Sequence, residues 1–196
     1  MALFSTAYWA PISYYLLSAQ SNWVRIERHE SYQKQSYRNR CTILSANGPL
    51  SLVVPILRPH DCSIKEARID YSIPWQHTHW RAIEAAYRSS AYFEEYSQQI
   101  QEVYCNEIPF LFDLNIKIWE LSLNLLDITV QWSLSDHFAP LLCETNDFRD
   151  RIHPKAKHLP EGIGFEPYFQ VFGHKYGFIP NLSILDLIFN EGRFPL

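Results

Sequence analysis

Apolar and polar positions along the chain change period twice, and the changes divide it into three parts. Over residues 1–72 the pattern is mainly that of strands. Ala2-Leu-Phe-Ser-Thr6 reads as a short strand, and Pro11 fits the first turn of a helix carrying Ile12, Tyr15, Leu16 and Ala19 on one face. Trp23-Val-Arg-Ile26 puts Val24 and Ile26 on one side of a second strand, with Trp23 and Arg25 on the other. A strand, a helix and a strand in such quick succession predict a β-α-β unit with a parallel pair. Thr42-Ile-Leu-Ser45 and Leu50-Ser-Leu-Val-Val-Pro-Ile56 predict two more strands. The Ala46-Asn-Gly-Pro49 turn between them is a hairpin signal, because Asn and Gly tolerate positive φ. Pro55 should end the later strand or lie at an edge. Ala67-Arg-Ile-Asp-Tyr71 is a candidate for a further strand.

From Pro74 the period becomes helical. Trp80, Ile83, Ala86 and Tyr87 share a face, with Glu84 and Arg88 placed for an i, i+4 pair. Ser89-Ser90 breaks the run. A second helix then carries Phe93, Tyr96, Ile100, Val103 and Tyr104. Phe110 to Leu126 repeats Leu111, Leu114, Ile118, Leu121 and Leu125, and its wide apolar face predicts a central core helix. Residues 73–127 thus form a helical part. Residues 128–196 read as a returning strand, Thr129–Leu134, then an irregular lid broken by prolines and glycines from 138 to 180, then a terminal helix. That helix spans Asn181–Asn190, with Ser183 or Asn181 as its cap and Gly192 just past its end. Aromatic residues within 138–180 predict a docked lid rather than a free linker. The fold class expected is α/β: a mixed sheet from an N-terminal β-α-β unit plus hairpin, a helical middle, and an aromatic C-terminal segment packed back, all in a single domain over 1–196.

Composition narrows this picture. A chain of 196 residues, 47% of them apolar, can bury a full core. No apolar run approaches the length of a bilayer span, and the Met-Ala-Leu-Phe-Ser start lacks a basic segment followed by an apolar one. With four widely spaced cysteines and no Cys-x-x-Cys pair, a cytoplasmic protein with reduced thiols is expected. A net charge of −4 argues against general nucleic-acid binding.

Against that acidic background, Arg25–Arg40 holds five basic and two acidic residues, net +3. Within it, Tyr32-Gln-Lys-Gln-Ser-Tyr-Arg-Asn-Arg-Cys41 follows the second strand, where α/β sheets carry ligand loops. Lys34, Arg38 and Arg40 are candidates to bind a phosphate or carboxylate, with Tyr32, Tyr37 and Asn39 orienting an anionic or sugar-linked small molecule. The other reading makes Arg38, Asn39 and Arg40 structural, pairing with acids such as Glu27 and Glu30. Cys41 directly after Arg40 is a candidate nucleophile if the guanidinium favours its thiolate, or else a small buried residue. His79 is a candidate base and Asp186 an orienting or basic group. Asp186 and Asn190, at i, i+4, either bond a ligand or satisfy neighbouring backbone. His77-Thr-His79 has no third ligand nearby and sits at a helix entry, so no metal is expected. There is no dinucleotide fingerprint, P-loop or nucleophile elbow, and no cofactor is implied.

These residues resemble a known family. Ala7-Tyr-Trp-Ala-Pro-Ile12, the basic loop ending Arg38-Asn39-Arg40, Val54-Pro55, Trp75 with His79-Trp80, Tyr87 with Tyr92-Phe93, and Asn181 through Gly192 are similar, in that order, to the WbqC-like proteins. Many members carry Gln-Pro before the aromatic residues, where this chain has Thr6-Ala7. The resemblance implies surface-polysaccharide biosynthesis and a transferase, with glycyl or aminoacyl transfer to a sugar as the suggested reaction. A non-catalytic binding or assembly protein of the same pathway is the alternative, and the oligomeric state is left open.

Overall fold

A computed structural model describes residues 1–57, 62–138, 146–156, 158 and 163–194. Its architecture is mixed α/β. Strands β1 (Ala2–Ser5), β2 (Val24–Glu27) and β5 (Trp132–Leu134) form a parallel sheet in the order β1-β2-β5. Helix α1 (Ile12–Ala19) connects the first two, as the β-α-β reading requires. Beyond β1, the amide of Leu3 bonds the carbonyl of Asn146 and the amide of Phe148 bonds the carbonyl of Leu3, so a further parallel bridge covers that edge. With neighbours on both sides, all of β1 is buried, in keeping with its near-continuous apolar text.

Strands β3 (Arg40–Ser45) and β4 (Gly48–Val53) form a separate antiparallel hairpin. The turn is shorter than the sequence suggests: Ala46 and Asn47 alone make the loop, while Gly48, at φ +100°, and Pro49 already belong to β4. The strand also stops at Val53, before Pro55. Ala67–Tyr71 is no regular strand. Its residues make two isolated bridges, Ile69 to Ile56 and Arg68 to Phe110, because this short segment is pinned between two chains instead of along one.

Helices α2 (Trp75–Tyr87), α3 (Phe93–Gln101) and α4 (Leu111–Leu125) supply the helical part. A 3-10 turn at Glu102–Tyr104 replaces the expected end of the second helix. The buried stripe of α2 is Trp75, His79, Ile83, Ala86 and Tyr87, so the histidine takes an inward place and Trp80 is only half-buried. Glu84 pairs with Arg81 at 2.8 Å, not with Arg88. Helix α4 buries Leu111, Leu114, Ile118, Trp119 and Leu125, and is the central helix that its pattern predicts.

After the short helix α5 (Gly173–Tyr176), helix α6 (Ile184–Glu191) closes the fold. Ser183 is its cap, accepting a hydrogen bond from the amide of Leu185 at 3.3 Å. Asn181 instead caps α1 from a distance, its Oδ1 accepting from the amide of Ser13 at 2.9 Å. Gly192 ends α6 at φ +63°, and a Cβ there would lie 2.4 Å from the Tyr92 ring, so only glycine fits. The aromatic C-terminal segment does pack back. Tyr176 donates to the carbonyl of Ala46 at the hairpin turn, and Tyr168 and Gln170 bond Asp186. Cys143 lies outside the described residues, as do Lys157, Pro160 and Gly162. Among the described residues, no helix is long and apolar enough to cross a membrane.

Candidate functional site at the carboxyl ends of the parallel strands

The carboxyl ends of β1 and β2 deliver Ser5, Thr6, Glu27 and Glu30 to one place, and the basic loop folds over them. Several hydrogen bonds sew that loop down. The amide of Tyr8 bonds the carbonyl of Tyr37 at 2.9 Å, Asn115 of α4 donates to the carbonyl of Arg38 at 2.8 Å, and Asn39 donates to the carbonyl of Val54 at 2.8 Å.

Arg38 is buried, and its guanidinium grips Glu30 bidentately, with Nε 2.8 Å from Oε1. Its terminal nitrogens also reach Ser5 Oγ at 2.7 Å and Gln33 Oε1 at 3.2 Å. The fork geometry that suits a ligand carboxylate is therefore occupied by a carboxylate of the protein. With its fork taken up by Glu30, Arg38 is a strut of the loop, as in the structural reading of Arg38 and Glu30. Beside it, Arg149 bonds Asp147, lies 3.6 Å from Glu27, and is raised above its usual range chiefly by the hydrogen bond to Asp147. Ser135, just past β5, donates to Glu27 at 2.6 Å. A small cavity of about 10 Å³, the room of roughly one water, lies among Ser5, Thr6, Tyr37, Arg38 and Arg149. The Thr6 hydroxyl is buried with no hydrogen-bond partner among the described residues.

The outer part of the loop is more open. Lys34 is exposed, and Tyr32, Tyr37 and Arg40 are half-buried. Arg40 makes no ion pair among the described residues, and its Nε has no hydrogen-bond partner among them. Burial pushes the Tyr32 hydroxyl up to about 12, against an opposing pull from Arg40 and Arg38. His153 is held below its usual range first by burial, then by Arg38, Lys155 and Arg40, with Asp150 opposing. Tyr32, Arg40 and His153 thus share one cationic field. Sequence reading passed over His153, Arg149, Ser135 and Ser5. For Ser5 and Ser135 the signal was positional, since the carboxyl ends of parallel strands are where ligands bind; no local signal marked Arg149 or His153.

The three catalytic candidates lie elsewhere. Cys41 is buried in β3, where successive side chains point to opposite faces, so Arg40 cannot activate it. Burial pushes its thiol up to about 12, away from the thiolate that a nucleophile needs. His79 accepts or donates at Nδ1 with the Tyr8 hydroxyl at 2.9 Å, and Tyr8 also meets Tyr104 at 2.9 Å. The Trp9 indole donates to Tyr104 at 2.8 Å. Burial lowers His79 to about 4, so it is a neutral member of an aromatic knot. The Tyr8-Trp9 pair therefore builds core; Trp9 adopts φ +41° within it, and its carbonyl accepts from Ser183 at 2.9 Å. Asp186 is buried under Tyr87, Tyr168 and Gln170, and Asn190 donates to the Asp186 carbonyl at 2.8 Å, satisfying backbone. No hydrogen bond or ion pair among the described residues joins Asp186 to the basic loop. His77 is exposed while His79 is buried, and no described cluster of three His, Cys, Asp or Glu side chains is placed to hold a metal ion.

These features define a mixed α/β protein with a buried ion network at the carboxyl ends of a small parallel sheet. The chain belongs to the WbqC-like protein family, whose sequence profile matches residues 7–156. It is also 28% identical over 190 residues to the uncharacterized protein Rv1507c of Mycobacterium tuberculosis, covering 82% of this chain and 80% of that one. No solved structure matches it.

Proposed function

We propose that the protein binds an anionic, sugar-linked small molecule on the outer face of the basic loop, in the cytoplasm, in surface-polysaccharide biosynthesis. The observation that carries this reading is the contrast between Arg38 and Arg40. Arg38 is consumed by Glu30, whereas Arg40 makes no ion pair among the described residues and acts on both Tyr32 and His153. Tyr32 and Tyr37 supply flat, half-apolar surfaces of the kind that sugars stack upon. Lys34 extends the positive rim.

Glycyl or aminoacyl transfer to a sugar is the catalytic form of this reading. In it, the sugar's amine or hydroxyl attacks the acyl carbonyl and the bond to the donor's carrier breaks. The attacking group's proton leaves with the donor's carrier, while His153, whose Nδ1 accepts from the Lys155 amide at 3.1 Å, carries its ring proton on Nε2 when neutral and offers that N–H to the acyl carbonyl oxygen. The non-catalytic form is favoured by the protonated Cys41 and the enclosed His79.

Thermal shift and calorimetry with UDP-N-acetylglucosamine, glycyl-adenylate analogue and inorganic phosphate test both forms. Arg40→Ala should weaken binding of the stabilising compound about tenfold, the scale of one charge-assisted hydrogen bond. It should leave cooperative unfolding intact. Unchanged affinity in Arg40→Ala sinks the site. Product on mass spectrometry selects the transferase, and stabilisation without turnover selects the binder.

A further inference from the structure

A second cavity, of about 600 Å³, opens between α1, α6 and the segment around residues 164–168. Its volume is in the range of small-molecule pockets. Helix α1 separates it from the ion network. Ile12 and Leu16, one turn apart, line the cavity, while Tyr14 on the far side of the helix donates to the carbonyl of Ser5 at 2.9 Å. Leu187 and Phe194 complete an apolar floor, with Phe165 and Pro167 above.

The roof is a tied segment. Tyr168, which lines the cavity, donates to Asp186 Oδ2 at 2.6 Å, and Gln170 donates to the same oxygen at 2.8 Å. Gln170 also exchanges two hydrogen bonds with the backbone of Ile179, both at 2.9 Å. Further along, Lys175 and Tyr176 fasten the chain to the carbonyl of Ala46.

The charges at the cavity complete the picture. Glu166, Glu191 and Arg193 line it, and no hydrogen bond or ion pair among the described residues engages any of their side chains. Among the described lining residues, two carboxylates against one guanidinium leave the mouth net negative. Asp186 behind Tyr168 adds to that sign, and Glu191 is near enough to help raise the Tyr168 hydroxyl. A carboxylate ligand would meet repulsion here, whereas a cationic one would be attracted.

We propose that this cavity is a second ligand site, for a small molecule with an apolar body and a protonated amine, whose ammonium is met by Glu166 and Glu191. The apolar body lies on Ile12, Leu16, Leu187 and Phe194. The site is independent of the basic loop and of any sugar chemistry there.

Three probes share one body and differ in charge: 4-phenylbutylamine, 4-phenylbutanol and 4-phenylbutyrate. Titration calorimetry of the full chain should rank them in that order, the amine about tenfold tighter than the acid, as two partly exposed charge contacts allow. Glu166→Gln with Glu191→Gln should level the amine and the alcohol without changing the melting temperature. Leu16→Trp should reshape the apolar floor and weaken binding of all three, whereas Arg40→Ala should leave them unchanged. Equal affinities, preference for the acid, no binding of any probe, or undiminished affinity in a folded Leu16→Trp variant would each overturn the proposal. So would a probe-independent dimer that buries the cavity in solution.

Discussion

Two buried charges, Arg38 and Asp186, are stabilised in different ways. Arg38 faces a carboxylate of opposite sign, with Ser5 and Gln33 accepting from its terminal nitrogens. Among the described residues, Asp186 faces neutral donors, Tyr87, Tyr168 and Gln170. The first arrangement cancels charge within the protein and fixes a loop rigidly. The second satisfies hydrogen bonds but leaves a net charge out of water, so burial raises the Asp186 carboxyl above its ordinary range despite three donors that oppose the rise. A paired ion thus makes a frame, and a carboxylate held by neutral donors makes a fastening whose strength depends on protonation.

The largest effect should come from breaking the pair. Arg38→Met strands Glu30 and should cost ~3–5 kcal/mol in urea denaturation, whereas Arg38→Met with Glu30→Leu should return most of that loss. A single variant that loses under about 1 kcal/mol would mean that the pair is hydrated, and the contrast would collapse.

Next in size is acid sensitivity at His79. Its folded value of about 4 lies below the ordinary 6.5, so the neutral form contributes stability that is present above pH 6.5 and lost as pH falls toward 4. The full loss is on the order of 3 kcal/mol. His79→Gln should flatten the stability profile across that window, and an unchanged slope would place the acid sensitivity elsewhere.

Smaller again is the Asp186 fastening. Asp186→Leu leaves three donors facing an apolar group and should cost ~1–3 kcal/mol, less than Arg38→Met. Its pH sign is opposite to that of His79. The raised carboxyl favours folding fully below about 3.8, and that contribution is lost as pH rises through the folded value. Hydrogen exchange at the amides of residues 168–179 should therefore quicken in Asp186→Leu while those of β1 and β2 stay protected. Equal quickening in both regions would show that the fastening is part of the global fold.

Much of the fold could be read from local pattern. The β-α-β start, the hairpin, the central helix Leu111–Leu125 and the Gly192 stop follow from period and from backbone preferences that act within a few residues. The segment Ala67–Tyr71 escaped, because its pairing depends on two other segments, at Ile56 and Phe110, that no local signal names. The chain's own text also marked the basic loop and its acids, and left two roles open for them. Only tertiary structure divided those roles. Arg38 met Glu30, Arg40 took no ion pair among the described residues, and Arg149 and His153 arrived from more than a hundred residues away. Local periodicity decides which face a residue occupies. Whether that face meets a carboxylate, an aromatic ring or water is set by which distant elements pack against it, and that determines the chemistry of a charged side chain.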